Sequence, residues 1–157
     1  MIITSSAFQE GQPIPKKYAY NGVAGGKNAS LPLSWKEVPP GTKSFALSLI
    51  DPHPVARNWV HWFVINIPRD VTELHEGASH HKMPQGSVEL YNTYGELGYG
   101  GPEPPAGSGV HPYIVTLYAL NVSALELPEK ATLPAFTNAL EGKVIATAAI
   151  TGTYERL

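Results

Sequence analysis

The sequence has no cysteine, few charged residues and no long apolar run, and each of these absences excludes a class of protein. Without cysteine, the 157-residue chain has neither a disulfide framework nor a thiolate zinc site. Charged residues make up only 15% of it, and 11 basic against 13 acidic side chains leave a net charge of −2. We therefore expect no nucleic-acid partner. No run approaches the ~20 apolar residues that span a bilayer, so we also predict no membrane insertion.

Glycine and proline, by contrast, are plentiful, at 15 residues each. At this length the chain can bury a core of its own, and no linker or repeat divides it, so we predict a single domain over residues 1–157. The opening residues, Met1 to Ser5, lack the charged start and long apolar stretch of a secretion signal. We therefore expect a cytoplasmic protein.

Apolar and β-branched segments separated by glycine- and proline-rich turns predict a mainly β protein. Strands are predicted at 2–8, 32–35, 45–50, 59–67, 112–121 and 143–154, with shorter extended pieces at 18–20 and 88–91. One helix is predicted over 134–141, because Pro134 stands at its start, Phe136 and Leu140 share a face, and Gly142 follows. Many short strands, long proline- and glycine-rich loops and one short C-terminal helix indicate an antiparallel β-sandwich.

Two consecutive strands are joined by the turn-rich connector 51–58. If they form an antiparallel hairpin, Asp51 lies opposite Trp59 and Leu49 lies opposite His61. Asp51 and His61 then become diagonal neighbours, and a carboxylate and an imidazole on an apolar face are unfavourable unless they pair or bind a ligand. The residues predicted to share this face are Phe45, Leu47, Leu49, Asp51, Trp59, His61 and Phe63.

A second loop, residues 98–110, is crowded with glycine and proline and leads to His111 at the start of an apolar strand. Glycine allows positive φ and close approach of the backbone to a ligand, while proline presets the shape of the loop. The alternative is a plain strand connection, which needs only a few residues. Since preset loops on a rigid sheet commonly carry binding sites, we predict one here.

Together these segments resemble the phosphatidylethanolamine-binding protein family, which includes the Raf kinase inhibitor proteins, and in particular its short prokaryotic type. The resemblance runs nearly end to end. It is carried by DPHP (51–54), NWVHWFVINIP (58–68), GYGGPEPPAGSGVHPYIVTLYAL (98–120) and a closing GTY (152–154). It implies a β-sandwich with an anion-binding pocket at one edge, which accepts phosphate, phosphoethanolamine or a similar oxyanion. Relatives of the short type also lead us to expect a homodimer.

The resemblance also assigns residues to this pocket. Imidazole and tyrosine groups can donate hydrogen bonds to an oxyanion, as can the backbone N–H groups of residues 107–110. Asp51 is expected to hold one imidazole in position. His53 stands where the family's DPDAP-like motif has a second carboxylate, and it adds a donor if it faces the pocket. The predicted ligand-binding residues are Asp51, His53, Trp59, His61, Pro104, Pro105, Gly109, His111 and Tyr113.

Three functional classes are compatible with these residues. The first is a module that binds a small phosphorylated or oxyanion ligand and either senses it or modulates a partner enzyme. The second is an inhibitor of a serine protease or kinase that acts through exposed loops, since relatives include such inhibitors.

The third class is a metal-dependent hydrolase that uses Asp51, His53, His61 and His111 as ligands. The HExxH, GxSxG and GxxxxGK[ST] motifs are absent, and no nucleophile beside a histidine is evident. We therefore predict a binding protein, without a catalytic residue, metal or cofactor.

Overall fold

The computed structural model describes all 157 residues and contains eight β-strands and one α-helix. The strands are β1 (Ile2–Thr4), β2 (Leu33–Lys36), β3 (Ser44–Asp51), β4 (Trp59–Pro68), β5 (Glu73–Leu74), β6 (Val88–Glu89), β7 (His111–Leu120) and β8 (Val144–Tyr154). The α-helix is α1 (Leu133–Leu140), and a single 3-10 turn covers Lys16–Tyr18. Neither helix has the length and apolar character needed to cross a bilayer.

The strands form two antiparallel sheets, one of five strands in the order β6-β4-β3-β7-β8 and one of three in the order β1-β2-β5. The main apolar cluster joins their inner faces, with Leu33 and Trp35 from the small sheet packed among Leu47 and Val115 of the large one. This arrangement confirms the predicted antiparallel β-sandwich.

Helix α1 covers the other face of the large sheet. Phe136 stacks on Phe63 of β4 with ring centroids 4.3 Å apart. The Thr132 side chain caps the helix by accepting a hydrogen bond from the Ala135 N–H at 3.2 Å. The helix lies one residue earlier than predicted, because the capping threonine precedes the proline by two positions.

Two predicted extended segments differ from the structure because local hydrogen bonds turn the chain. The piece predicted at 18–20 is not a strand, because Tyr18 belongs to the 3-10 turn and its N–H donates to the Pro15 carbonyl at 3.1 Å. The first strand ends at Thr4 because the Ser5 hydroxyl accepts from the Ala7 N–H at 3.1 Å, which closes a local turn.

The predicted hairpin forms between β3 and β4, with Asp51 paired with Trp59 at its closed end. Further along, however, Leu49 pairs with Trp62, so the predicted pairing of Leu49 with His61 is wrong. A register shift between Leu49 and Ile50 accounts for the difference, since it gives β4 one extra residue at this point.

This β-bulge also changes which aromatic side chain faces the core. Trp62 joins the apolar cluster between the sheets, whereas Phe63 packs beneath α1. The prediction that Phe63 shares a face with Asp51 is therefore wrong. A single extra residue exchanges the two faces of the strand beyond it.

Candidate functional site

A cavity of about 360 Å³ opens at the edge of the large sheet where β3 ends and β4 and β7 begin. Antiparallel pairing brings these three strand ends together, so residues distant in sequence meet there. The cavity is lined by Asp51, Val55, Ala56, Trp59, His61, Tyr94, Glu103, Pro104, Pro105, His111 and Tyr113. Seven of the nine residues predicted from sequence are among them, and His53 and Gly109 are not.

The most buried polar contact of the site joins Asp51 to His111. The Asp51 Oδ2 and His111 Nδ1 atoms lie 2.6 Å apart, with side chains 3% and 0% exposed. The other carboxylate oxygen, Oδ1, accepts a hydrogen bond from the His53 backbone N–H at 2.9 Å. Asp51 therefore fixes one imidazole in position, and that imidazole is His111 rather than the diagonal neighbour His61.

His53 lies behind His111 rather than in the cavity lining. Its ring stacks on the His111 ring, with centroids 3.8 Å apart and planes within 6°. Its Nδ1 accepts a hydrogen bond from the Val55 N–H at 3.1 Å, which closes the turn after β3. Where the family pattern has a carboxylate, this chain therefore has a ring that supports the His111 imidazole from one side.

His61 is a neutral imidazole with a defined tautomer. Its Nδ1 lies 2.7 Å from the Gly100 carbonyl oxygen, to which it donates. Burial lowers the pKa of His61 to about 4, although the Gly100 carbonyl and the charge of Asp51 favour the protonated form. At neutral pH the proton therefore stays on Nδ1, and Nε2 carries a lone pair that can accept a hydrogen bond.

Two tyrosines flank the His61 ring edge-on, with centroids 5.1 Å away for Tyr113 and 5.7 Å away for Tyr94. Burial raises the pKa of the Tyr113 hydroxyl, and the charge of Asp51 raises it further. Burial also raises the pKa of Tyr94, followed by the charge of Glu103. Both hydroxyls are therefore protonated at neutral pH, and that of Tyr94 donates to the Gly101 carbonyl at 2.7 Å.

Sequence reasoning missed four residues of the lining: Val55, Ala56, Tyr94 and Glu103. Glu103 immediately precedes Pro104 and Pro105, which were both predicted to bind ligand. Its place in the sequence could therefore have indicated that it lines the cavity. Tyr94 lies in a segment without regular periodicity, and nothing in its local sequence places it near β4.

The prediction that no nucleophile lies beside a histidine is wrong, because Ser108 lies beside His111. Its Oγ lies 2.8 Å from His111 Nε2 and 2.6 Å from the Pro105 carbonyl oxygen. The three-residue spacing of Ser108 and His111 across Gly109, which has a φ of +87°, brings the two side chains together. That spacing was the signal available in the sequence.

The histidines and carboxylates at this edge do not form a metal-binding cluster. No group of three or more His, Asp or Glu side chains in the chain is arranged to hold a metal ion. The Nδ1 atoms of His53 and His111 both take part in hydrogen bonds within the protein.

Gly101 supports the cavity wall through close backbone packing, and its replacement by alanine should be destabilising. A Cβ atom there would lie 2.0 Å from the Tyr18 carbonyl oxygen and 2.8 Å from the Tyr20 nitrogen. Because main-chain atoms cannot rotate away, we expect Gly101→Ala to lower the free energy of unfolding by about 1–3 kcal/mol in urea denaturation.

Gly22→Ala is the matched control, since its Cβ would meet only the flexible carboxylate end of Glu103. We expect that side chain to move aside, with a loss of about 0.5 kcal/mol or less. Equal stability of the two variants would contradict the close packing at Gly101.

Comparisons with known proteins agree with this architecture. The model of the family described as phosphatidylethanolamine-binding protein matches residues 4–155. A UPF0098 protein of Methanothermobacter thermautotrophicus is 41% identical over 157 residues, which cover 99% of both chains.

Two solved structures extend the likeness to three dimensions. Escherichia coli YbcL, described as a new member of the mammalian PEBP family, has a TM-score of 0.92 at 35% identity, with 99% of this chain and 98% of that one covered. A putative phosphatidylethanolamine-binding protein homologue from Chlamydia trachomatis has a TM-score of 0.84 at 40% identity, with coverage of 99% and 97%. As its motifs predicted, the chain belongs to the phosphatidylethanolamine-binding protein family.

Proposed function

We propose that this protein binds, in the cavity at the end of β3, a small phosphate monoester that also carries a cationic group, as phosphoethanolamine does. The observation that carries the proposal is the mixed character of the lining. Hydroxyl and imidazole groups stand beside two carboxylates, Asp51 and Glu103, and the lining includes no lysine or arginine. A phosphate dianion alone would meet negative charge, whereas a zwitterion brings its own ammonium group to balance it.

The phosphate end is matched by Tyr113 and His61. The Tyr113 hydroxyl stays protonated because burial raises its pKa, so it can donate to a phosphate oxygen. The neutral His61 offers the opposite group, an acceptor at Nε2, which suits the P–O–H of a singly protonated phosphate. Since the second pKa of a phosphate monoester is about 6, we expect binding to tighten as the pH falls through that value.

The ammonium group of the ligand would contact Glu103 and the rings of Trp59 and Tyr94. Trp59 and Tyr94 meet edge to face with centroids 5.3 Å apart, and both line the cavity with Glu103. A carboxylate beside aromatic rings attracts an ammonium group through its charge and through cation–π contact.

The same proposal includes a partner enzyme, such as a protease or kinase, that responds to the occupied cavity. Two of the most exposed apolar side chains, Val55 and Val110, lie in the loops after β3 and before β7, at 53% and 54% exposure. They would form part of the surface that such a partner contacts.

The binding proposal is tested by calorimetric titration with O-phosphoethanolamine, inorganic phosphate and ethanolamine at pH 6 and pH 8. We expect phosphoethanolamine to bind most tightly, and more tightly at pH 6. Glu103→Gln should weaken phosphoethanolamine binding several-fold, since it removes the partner of the ammonium group, and should not weaken phosphate binding, since it also removes a negative charge from the lining.

Glu126→Gln, at an exposed glutamate outside the lining, is the matched control and should change nothing. Absence of binding heat with all three compounds would contradict the proposal. Equal affinity for phosphate and phosphoethanolamine in the unaltered protein would contradict the ammonium contact but not the phosphate contact.

A further inference from the structure

Ser108, His111 and Asp51 form a continuous chain of hydrogen bonds at the rim of the cavity. Ser108 Oγ lies 2.8 Å from His111 Nε2, and His111 Nδ1 lies 2.6 Å from Asp51 Oδ2. Hydroxyl, imidazole and carboxylate in this order activate serine as a nucleophile. We propose that Ser108 accepts an acyl group from a small carboxylic ester and passes it to water, an activity distinct from ligand binding in the cavity.

The imidazole at the centre of this chain is held rigidly. Asp51 binds it through one carboxylate oxygen, while the other oxygen is fixed by the His53 N–H at 2.9 Å. The stacked His53 ring restrains it from the side at 3.8 Å. A catalytic base must be positioned before the substrate arrives, and these contacts provide that preorganisation.

The direction of the hydrogen bonds favours proton transfer from Ser108. With Nδ1–H donating to Asp51, the neutral His111 ring has its lone pair on Nε2, the atom nearest the hydroxyl. The Ser108 proton has a second acceptor in the Pro105 carbonyl at 2.6 Å. Rotation of the Ser108 hydroxyl about its Cβ–Oγ bond redirects the proton from that carbonyl towards Nε2. When the hydroxyl donates to Nε2, the serine is activated.

The loop around Ser108 leaves it open to a substrate. The flanking residues Gly107 and Gly109 have φ of +78° and +87°, and a Cβ atom placed on either would meet no other atom within 4 Å. The N–H groups of Gly109 and Val110, just after the serine, donate to no backbone carbonyl. Such free amides beside a nucleophile can stabilise the negative oxygen of a tetrahedral intermediate.

The adjoining cavity indicates the size of the substrate. Pro105 and His111 contact Ser108 and also line the cavity, whose apolar wall includes Trp59 and Pro104. A volume of about 360 Å³ accommodates a short acyl chain or a small alcohol group. The expected substrates are therefore small esters.

The reaction balances with water as the only co-reactant. Ser108 Oγ attacks the ester carbonyl carbon while its proton moves to His111 Nε2, and Asp51 stabilises the imidazolium. The intermediate collapses, the bond to the leaving alkoxide breaks, and Nε2 protonates that alkoxide to release an alcohol. Water then gives a proton to Nε2 and attacks the acyl carbon, and Nε2 returns the proton to Ser108 as the carboxylic acid leaves.

The proposal is tested with p-nitrophenyl acetate and with a fluorophosphonate, which phosphonylates activated serines with loss of hydrogen fluoride. We expect one added phosphonyl group by intact mass, located by peptide mapping at Ser108. Ser108→Ala should abolish the label and reduce p-nitrophenyl acetate hydrolysis by at least about a hundredfold. Neither assay contains phosphoethanolamine, so the result is independent of the binding proposal.

Ser87 provides a matched control within the chain. Its hydroxyl donates to the carbonyl of a proline three residues earlier, Pro84, at 2.6 Å, as that of Ser108 does to Pro105, but it has no histidine partner. Ser87→Ala should retain full labelling and hydrolysis. No labelling of the unaltered protein, labelling at Ser87, or unchanged hydrolysis in Ser108→Ala would each overturn the proposal.

Discussion

Replacing Asp51 with alanine is expected to lower the free energy of unfolding by about 2–3 kcal/mol, the range typical of leaving one partner of a buried, charge-assisted hydrogen bond unpaired. The substitution leaves the His111 Nδ1–H without its acceptor at a position with no exposure to solvent. It also removes the acceptor of the His53 N–H, which closes the turn after β3. The loss is measured by urea denaturation at pH 7. The m-value, which is the slope of the unfolding free energy against urea concentration, should not change.

Two further variants isolate the contribution of the pair. Asp70→Ala, at an exposed aspartate, should stay within about 0.5 kcal/mol of the unaltered protein. The double variant Asp51→Ala/His111→Ala should be more stable than the sum of the two single losses predicts, because each single change leaves the other group unpaired. Additive losses, or a loss below about 1 kcal/mol for Asp51→Ala, would contradict a coupled buried pair.

A second large loss of stability, about 3 kcal/mol, is expected from His61 as the pH falls from 7 to 4. Burial lowers the pKa of this imidazole from 6.5 to about 4 in the folded chain. Between those values the unfolded chain binds a proton that the folded chain does not, so acid favours unfolding. The contribution of neutral His61 is therefore complete above pH 6.5 and is lost progressively towards pH 4.

The effect is measured by urea denaturation at several pH values for the unaltered protein and His61→Gln. Glutamine retains an N–H donor for the Gly100 carbonyl but cannot take up a proton, so its stability should depend less steeply on pH. His75→Gln, at an exposed histidine, should retain the full pH dependence. An NMR titration of the His61 ring with a midpoint at pH 6 or above would contradict the prediction.

Much of this architecture was accessible from sequence, because strand periodicity and turn chemistry are local. The hairpin end at Asp51 and Trp59 and the helix beneath β4 followed from such patterns. The β-bulge did not, since Trp62 and Phe63 are both aromatic and either could face the core. Long-range contacts distinguish them, because Phe63 stacks on Phe136 whereas Trp62 packs edge-on against Tyr99.

The site was predictable to the extent that its residues lie at strand ends. Asp51 and His61 belong to a hairpin whose pairing could be inferred, whereas His111 was identified from the glycine- and proline-rich loop that precedes it. Tyr94, in contrast, is placed by a hydrogen bond to the Gly101 carbonyl within irregular backbone. The partner of Asp51 also depended on register, because the bulge and the β3–β7 pairing together bring His111 rather than His61 to the carboxylate.

The bond between Asp51 and His111 joins residues 60 positions apart in the chain, and this separation bears on how the molecule folds. The β3–β4 hairpin can close early, since its loop is short, whereas β7 must be recruited against a much larger loop-closure entropy. A folding intermediate that contained only the hairpin would have Asp51 and His61 in place but no His111. The cavity is therefore completed only when β7 docks, and its occupation by a ligand would report that β7 has joined the hairpin.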